Sequence, residues 1–194
     1  MPVNDLILAS ASPRRIEILK QIGVRFTTEP AHIDETHNRI EPVQDYVTRM
    51  ALEKAQKISR SQSSTIAVLG ADTVVHYDGE IFTKPRNYDH ARSMLLSLSG
   101  SCHEVLTSVA IVNARMSAVS VAISHVWFRT ISEAECLKYW DSGEPRGKAG
   151  AYAIQGRGGV FIERIEGSYS GIVGLPISET TKLLNKFNIP IWAY

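Results

Sequence analysis

The chain has 194 residues, and its 21 lysines and arginines nearly balance its 20 aspartates and glutamates, leaving a formal net charge of +1. Hydrophobic residues make up 44% and charged residues 21%, which is typical of a soluble globular protein and argues against a disordered chain or a fibrous repeat. This balance provides no general cationic surface for nucleic acid, so any anion-binding site must be local.

Cysteine usage and hydropathy predict a cytoplasmic location. The two cysteines, Cys102 and Cys136, lie in apolar stretches and are interpreted as reduced, buried thiols. No apolar run approaches the roughly 18 residues of a membrane span, and the first residues lack the basic region of a signal peptide. Without a low-complexity linker or a repeat, we expect one domain over residues 1–194 with no membrane contact.

The N-terminal region predicts a strand, a tight turn and a helix. The apolar run 6–9 is typical of a buried strand, and a helix of about ten residues follows, with Ser12 as its N-cap and Pro13 at its first position. Gly23 ends this helix. Two serines and two arginines surround the helix N-terminus, Ser10, Ser12, Arg14 and Arg15. Unpaired amides there favour phosphate, although a capped helix with solvated arginines explains the same residues.

A second helix is predicted from about Pro42, and a lysine interrupts its apolar face. Lys54 follows Met50 by four positions and Ala51 by three, so it lies within the apolar stripe. A lysine in that place requires an anionic partner or extends to the surface near the helix end, and the sequence leaves both interpretations open.

The middle and C-terminal parts alternate between strands and helices. A buried strand at 66–69 is predicted to end at Gly70–Asp72, which would place Asp72 at a strand edge, where α/β proteins bind ligands. Asp78–Gly79 predicts a hairpin, and Ser132 with Glu135 predicts a capping box. The remaining expected elements are strands at 74–77, 80–82, 105–112 and 119–128, and helices at 88–98, from 132 to Gly143, and 178–187. This mixture predicts an α/β or α+β sheet flanked by helices.

Glycines are concentrated near the C-terminus, because nine of the 13 lie between Gly143 and Gly174. Aromatic, amide and basic residues are interleaved with them, which favours a ligand-facing loop over a merely mobile one.

Acidic residues at two places could hold a hard cation. Asp34 and Glu35 lie in the segment HIDETH, and Asp72 follows the predicted strand. Carboxylate oxygens suit magnesium or manganese, which bridge phosphate oxygens in phosphoryl transfer. His32 and His37 are five residues apart with no cysteine nearby, so we interpret them as surface histidines and not as zinc ligands.

Several motifs occurring in order resemble the Maf nucleotide pyrophosphatases. They are LASASPRR, GADTVV, KP, LSGSCHEVLT, GKAGAYAIQGRGG and GSYSGIVGLP, and the similarity extends over nearly the whole chain. The chain is most similar to the branch that acts on dTTP and UTP. The resemblance implies an α/β fold like that of inosine triphosphate pyrophosphatases, with a mixed twisted sheet flanked by helices and two lobes around a cleft. It also implies a homodimer.

The resemblance implies hydrolysis of a nucleoside triphosphate between its α and β phosphorus atoms, with a divalent cation, magnesium or manganese. Asp72 would be the general base, and Glu35 and Asp72 would bind the cation. Arg14, Thr73 and Gln155 follow the pyrimidine pattern, and an amide at Gln155 suits the imide edge of uracil or thymine. The full set implied to bind substrate is Ser10, Arg14, Arg15, Lys54, Thr73, Lys84 and Gln155.

A non-catalytic nucleotide sensor or regulator of cell division is the alternative, since the family resemblance also implies inhibition of septum formation on overproduction. A sensor would not need Glu35, Asp72 and Lys84 together, whereas an enzyme would.

Overall fold

A computed structural model describes residues 6–38, 40–62 and 66–193. Seven strands form one sheet in the order β2-β1-β3-β5-β6-β7, with β4 beside β3. The strands are β1 (Leu6–Leu8), β2 (Thr27–Thr28), β3 (Ala67–Tyr77), β4 (Glu80–Phe82), β5 (Cys102–Val112), β6 (Ser117–Phe128) and β7 (Ile162–Glu166). The helices are α1 (Pro13–Gln21), α2 (Val43–Ser59), α3 (Tyr88–Leu98), α4 (Glu133–Asp141), α5 (Tyr169–Val173) and α6 (Ile177–Lys186).

Parallel and antiparallel pairings coexist in the sheet. β1 pairs in parallel with β2 and β3, so that Ile7 lies opposite Thr27 and Val68. β4 is antiparallel to β3, and β7 is antiparallel to β6. The predicted mixed sheet with flanking helices is therefore confirmed.

Contacts between residues divide the chain into two units. The first comprises 1–72, 107–122 and 174–194. It has an apolar core in which small residues of α2, including Ala51 and Ala55, contact Ile7 and Val68 of the central strands. The small side chains let the helix approach the sheet closely.

The second unit comprises 73–106 and 123–173. Its core packs Leu95 and Leu98 of α3 and Cys136 of α4 against Val105 and Phe128 of the sheet. The predicted capping box at Ser132 is present, with both reciprocal hydrogen bonds to Glu135 formed. The predicted Asp78–Gly79 hairpin is also present, because both residues have positive φ (51° and 77°), as a tight hairpin turn requires.

The prediction that a strand ends at Gly70–Asp72 is wrong, because β3 runs without a break from Ala67 to Tyr77. Asp72 therefore lies inside a strand and not at its edge. The glycine has a packing role here: a Cβ at Gly70 would lie 2.3 Å from the Ala51 carbonyl oxygen of α2 and 2.7 Å from the Ala55 nitrogen. Gly70 permits close contact between helix and strand while the backbone stays extended.

The glycine-rich segment contains more regular structure than a loop. The strand β7 and the short helix α5 lie within it, and 3₁₀ turns span Ala149–Ala151 and Arg157–Phe161. The prediction of a loop throughout this segment is therefore wrong. Among the described residues, no helix combines the length and the apolar character needed to cross a bilayer.

Candidate active site

The turn between β1 and α1 is organised by Ser10. Its buried hydroxyl accepts hydrogen bonds from the Ser12 amide (3.2 Å) and from Nη1 of Arg15 (3.3 Å). Ser12 does occupy the N-cap position and Pro13 the first position of α1, but the Ser12 side chain forms no capping hydrogen bond. Nε of Arg15 also donates to the carbonyl oxygen of Gly174 at 2.9 Å, which fixes the guanidinium beside the turn.

Lys54 brings two acids together. Its ammonium nitrogen lies 2.6 Å from Oε1 of Glu35 and 2.6 Å from Oδ1 of Asp72. The Lys54 side chain is 9% exposed, that of Asp72 13% and that of Glu35 46%, so the cluster opens to solvent on the Glu35 side. Of the two interpretations of Lys54, the structure shows the anionic partner and not the extension to the surface.

The loop that carries Glu35 is attached to α2 by Tyr46. The Tyr46 hydroxyl donates to the carbonyl oxygen of Glu35 at 2.7 Å. Burial, followed by the nearby charges of Asp72 and Glu35, raises the pKa of Tyr46 to about 12, so it remains a donor at neutral pH. The helical spacing of α2 predicts a buried position for Tyr46 but not the partner of its hydroxyl, which a buried tyrosine usually needs.

Arg49 holds the same loop from one turn further along α2. Its guanidinium donates to both oxygens of Glu41 (2.7 Å each) and to the carbonyl oxygen of Thr36 (3.3 Å). The bond to Glu41 is the main reason that the pKa of Arg49 is raised above its ordinary value, and it makes a bidentate pair. Sequence reasoning missed this pair because Glu41 and Arg49 are eight positions apart and lie in different elements.

The electrostatic surroundings of Arg15 place it near both acids. Burial lowers its pKa, the charge of Asp72 opposes that shift, Arg14 adds to it, and Glu35 opposes it. Burial also lowers the pKa of Arg14. Arginine nevertheless stays protonated in proteins, so Arg15 and Lys54 are two positive charges that interact with the carboxylates of Asp72 and Glu35.

The donor set at Glu35 and Asp72 fits a hard divalent cation. Both carboxylates converge on one positive charge, the Lys54 ammonium, and oxygen donors are those that magnesium prefers. Within residues 6–38, 40–62 and 66–193, no group of three or more histidine, cysteine or acidic side chains could hold a metal ion.

Thr73, Lys84 and Gln155, which the resemblance also implies, belong to the second unit, and Thr73 directly follows Asp72 in β3. Lys84 is exposed after β4, and Gln155 is exposed in a turn of the glycine-rich segment. Contacts join Ser10 to Arg15, and Lys54 to Glu35 and Asp72, and the charges of both acids act on Arg15. The roles of all the implied site residues stay predictions.

Comparisons with known proteins agree over nearly the full chain. The family model described as Maf-like protein matches residues 5–187. A protein of Hahella chejuensis named dTTP/UTP pyrophosphatase is 52% identical over 190 residues, covering 97% of this chain and 94% of the relative. Proteins of the same name from Escherichia coli O157:H7 (45%; 96% and 94% covered) and Vibrio cholerae (44%; 96% and 100% covered) are also similar. Among solved structures, the Staphylococcus aureus Ham1 protein has a TM-score of 0.47 at 11% identity over 63% of this chain and 71% of that one, too distant to add to this.

Proposed function

Since this chain belongs to the Maf family, as the sequence motifs predict, we propose that it hydrolyses pyrimidine nucleoside triphosphates, dTTP and UTP, to the monophosphate and pyrophosphate. Relatives 42–52% identical that bear the name dTTP/UTP pyrophosphatase support this activity. The structural observation that carries the proposal is the cluster in which buried Lys54 holds Glu35 and Asp72.

In the proposed reaction, the cationic side chains bind the triphosphate. Arg15 and Arg14 extend from the first turn of α1, where unpaired backbone amides add about half a positive charge, and the exposed Lys84 binds a further phosphate oxygen. These groups offset the negative charge that accumulates on the pyrophosphate leaving group.

Asp72 acts as the general base. The Lys54 ammonium fixes Oδ1 of Asp72, and we assign Oδ2 as the atom that takes a proton from water. The oxygen of that water bonds to the α-phosphorus while the bond from this phosphorus to the bridging oxygen breaks, which releases pyrophosphate. The mid-strand position of Asp72 gives the carboxylate a rigid backbone, so positioning is its main contribution.

Glu35 and Asp72 would also hold magnesium or manganese. When bound, such an ion would polarise the phosphate oxygens and reduce the repulsion between triphosphate and water. The Tyr46 hydroxyl donates to the backbone carbonyl oxygen of Glu35 and so fixes the backbone there. The Glu35 carboxylate would therefore need little rearrangement to bind the ion.

We assign pyrimidine recognition to Gln155, Thr73 and Arg14. The Gln155 amide offers one acceptor and a donor group to the imide edge that uracil and thymine share. Since dTTP and UTP differ by only a methyl and a hydroxyl group, we expect weak discrimination between them.

The test is pyrophosphate release from dTTP, UTP, CTP and 7-methyl-GTP with magnesium or manganese, for the parent protein and for Asp72→Asn. We expect rapid release from dTTP and UTP, and loss of turnover with retained UTP binding in the variant. Asp141→Asn is the control, since this exposed aspartate ends α4 and has no assigned role.

Three results would contradict the proposal. Preference for 7-methyl-GTP would refute the pyrimidine assignment, and a parent rate in Asp72→Asn would refute the general base. Tight UTP binding by the parent protein without pyrophosphate release would favour a nucleotide sensor.

A further inference from the structure

Two side chains outside the proposed machinery fix the turn that carries Gln155. Oε1 of Glu144 accepts hydrogen bonds from the Tyr139 hydroxyl (2.7 Å) and the Gly158 amide (2.9 Å), and Oε2 accepts one from the Arg157 amide (2.9 Å). The Tyr139 hydroxyl in turn accepts a hydrogen bond from the Ala153 amide at 3.1 Å. The backbone is therefore attached on both sides of Gln155.

Glycines in the turn make this attachment possible. A Cβ at Gly156 would lie 2.2 Å from Oε2 of Glu144, and a Cβ at Gly158 would lie 2.5 Å from the Tyr139 hydroxyl oxygen. Any side chain at either position would displace the carboxylate or the phenol. Close contact with Glu144 and Tyr139 thus accounts for two glycines of the QGRGG sequence.

The ionised carboxylate of Glu144 can accept all three of the hydrogen bonds donated to it. Burial works against ionisation, but the hydrogen bonds from Tyr139, Gly158 and Arg157 hold the pKa of Glu144 below its ordinary value. A glutamine there could keep the two bonds at Oε1 through its carbonyl oxygen, but its NH₂ group would face the Arg157 amide, donor against donor. Burial raises the pKa of Tyr139, so its hydroxyl stays protonated and can donate.

We propose that Glu144 and Tyr139 are positioning residues that set the Gln155 amide for base recognition. This inference rests on the proposed function, because it assigns the base contact to Gln155. The four hydrogen bonds order the turn before the nucleotide arrives, so the cost of ordering it is not taken from the binding free energy. Their loss should weaken recognition of the base more than the chemistry at the phosphates.

The experiment compares Glu144→Gln and Tyr139→Phe with Gln155→Ala, using kcat/KM for UTP and for CTP. We expect Glu144→Gln to lower kcat/KM for UTP on the order of 10-fold, mainly through KM, and to lower it much less for CTP. Tyr139→Phe should have the same effect to a smaller extent. If Glu144 acts only through the Gln155 amide, its replacement has no further effect once that amide is removed. Glu144→Gln should therefore lower kcat/KM for UTP only slightly in the Gln155→Ala background.

Matched controls separate positioning from folding. Glu133→Gln removes a carboxylate that pairs with Arg92 on the surface, and Tyr77→Phe removes a hydroxyl that donates to Ser101 at 3.0 Å. Neither control should change the ratio of kcat/KM for UTP to kcat/KM for CTP. Thermal unfolding of each variant shows whether it is folded, and Tyr139→Phe provides the milder change should Glu144→Gln be unstable.

Equal losses for UTP and CTP, or additive losses with Gln155→Ala, would overturn the inference while leaving the proposed function intact. If the parent protein binds UTP without turnover, the dissociation constants of the same variants for UTP and CTP decide the question. A parent protein that neither binds nor hydrolyses UTP refutes both.

Discussion

Replacing Gly70 by alanine tests the connection between the fold and the cluster at Lys54. The new Cβ would lie 2.3 Å from the Ala51 carbonyl oxygen and 2.7 Å from the Ala55 nitrogen, both backbone atoms of α2 that no side-chain rotation can remove. Helix α2 must therefore move away from β3 by about 1 Å, and such a misplacement of reacting groups can cost on the order of 100-fold in rate. Because Lys54 lies on α2 and Asp72 on β3, this movement acts directly on their 2.6 Å contact.

We expect Gly70→Ala to lower the free energy of unfolding by about 1–3 kcal/mol, the usual cost of overpacking a core. Urea unfolding measures that loss, and pyrophosphate release from UTP measures kcat, which we expect to fall 10- to 100-fold, on the order that a misplaced catalytic group costs.

Gly79→Ala is the control, because it should lower stability without affecting the contact between Lys54 and Asp72. No atom lies within 4 Å of a Cβ there, but φ is +77°, so alanine should cost about 1 kcal/mol of backbone strain and leave kcat unchanged. If Gly70→Ala is as stable and as active as the parent protein, the close contact between α2 and β3 does not position Lys54.

Three further predictions concern single side chains. Lys54→Met should lower the free energy of unfolding at pH 7 by about 3 kcal/mol in urea titrations, because it leaves two carboxylates without their shared cation; an unchanged midpoint would contradict this. Tyr46→Phe should raise the magnesium concentration for half-maximal activity several-fold, as Glu35 loses its backbone anchor; an unaltered requirement would show that the anchor is dispensable. Burial lowers the pKa of His103 from its ordinary 6.5 to about 3. Between these two pH values the histidine is protonated in the unfolded chain and neutral in the folded one. Stability should fall by about 1.4 kcal/mol per pH unit from pH 6.5 towards 3. Urea unfolding at pH 7 and 5 should show that the free energy of unfolding falls less for His103→Gln than for the parent protein. An identical fall in the two proteins would refute the role of His103 in this pH dependence.

The sequence predicts helices better than it predicts the ends of strands, and it marks Lys54 as unusual without identifying its partners. A lysine inside an apolar helical stripe needs either an anionic partner or a side chain that extends to the surface, and position alone leaves both open. Which acids it meets depends on the loop before α2 and on β3, elements that come together only in the folded chain. Likewise, the four hydrogen bonds of Glu144 and Tyr139 join residues 5 to 14 positions apart, at no fixed helical or strand period.

The error at β3 has the same physical origin as the site itself. Glycine and aspartate are both disfavoured in strands, so Gly70 and Asp72 together indicate a strand end by local propensity. Alternate residues of a strand share one face, so Gly70 and Asp72 lie on the same side of β3, the side on which α2 packs. The missing side chain at 70 lets the helix come close, and the carboxylate at 72 then meets Lys54 from that helix. The contact between α2 and β3 thus explains both residues, although each is unfavourable for a strand. Gly70→Ala fills the space that this contact needs, so it should disturb Asp72, two positions away.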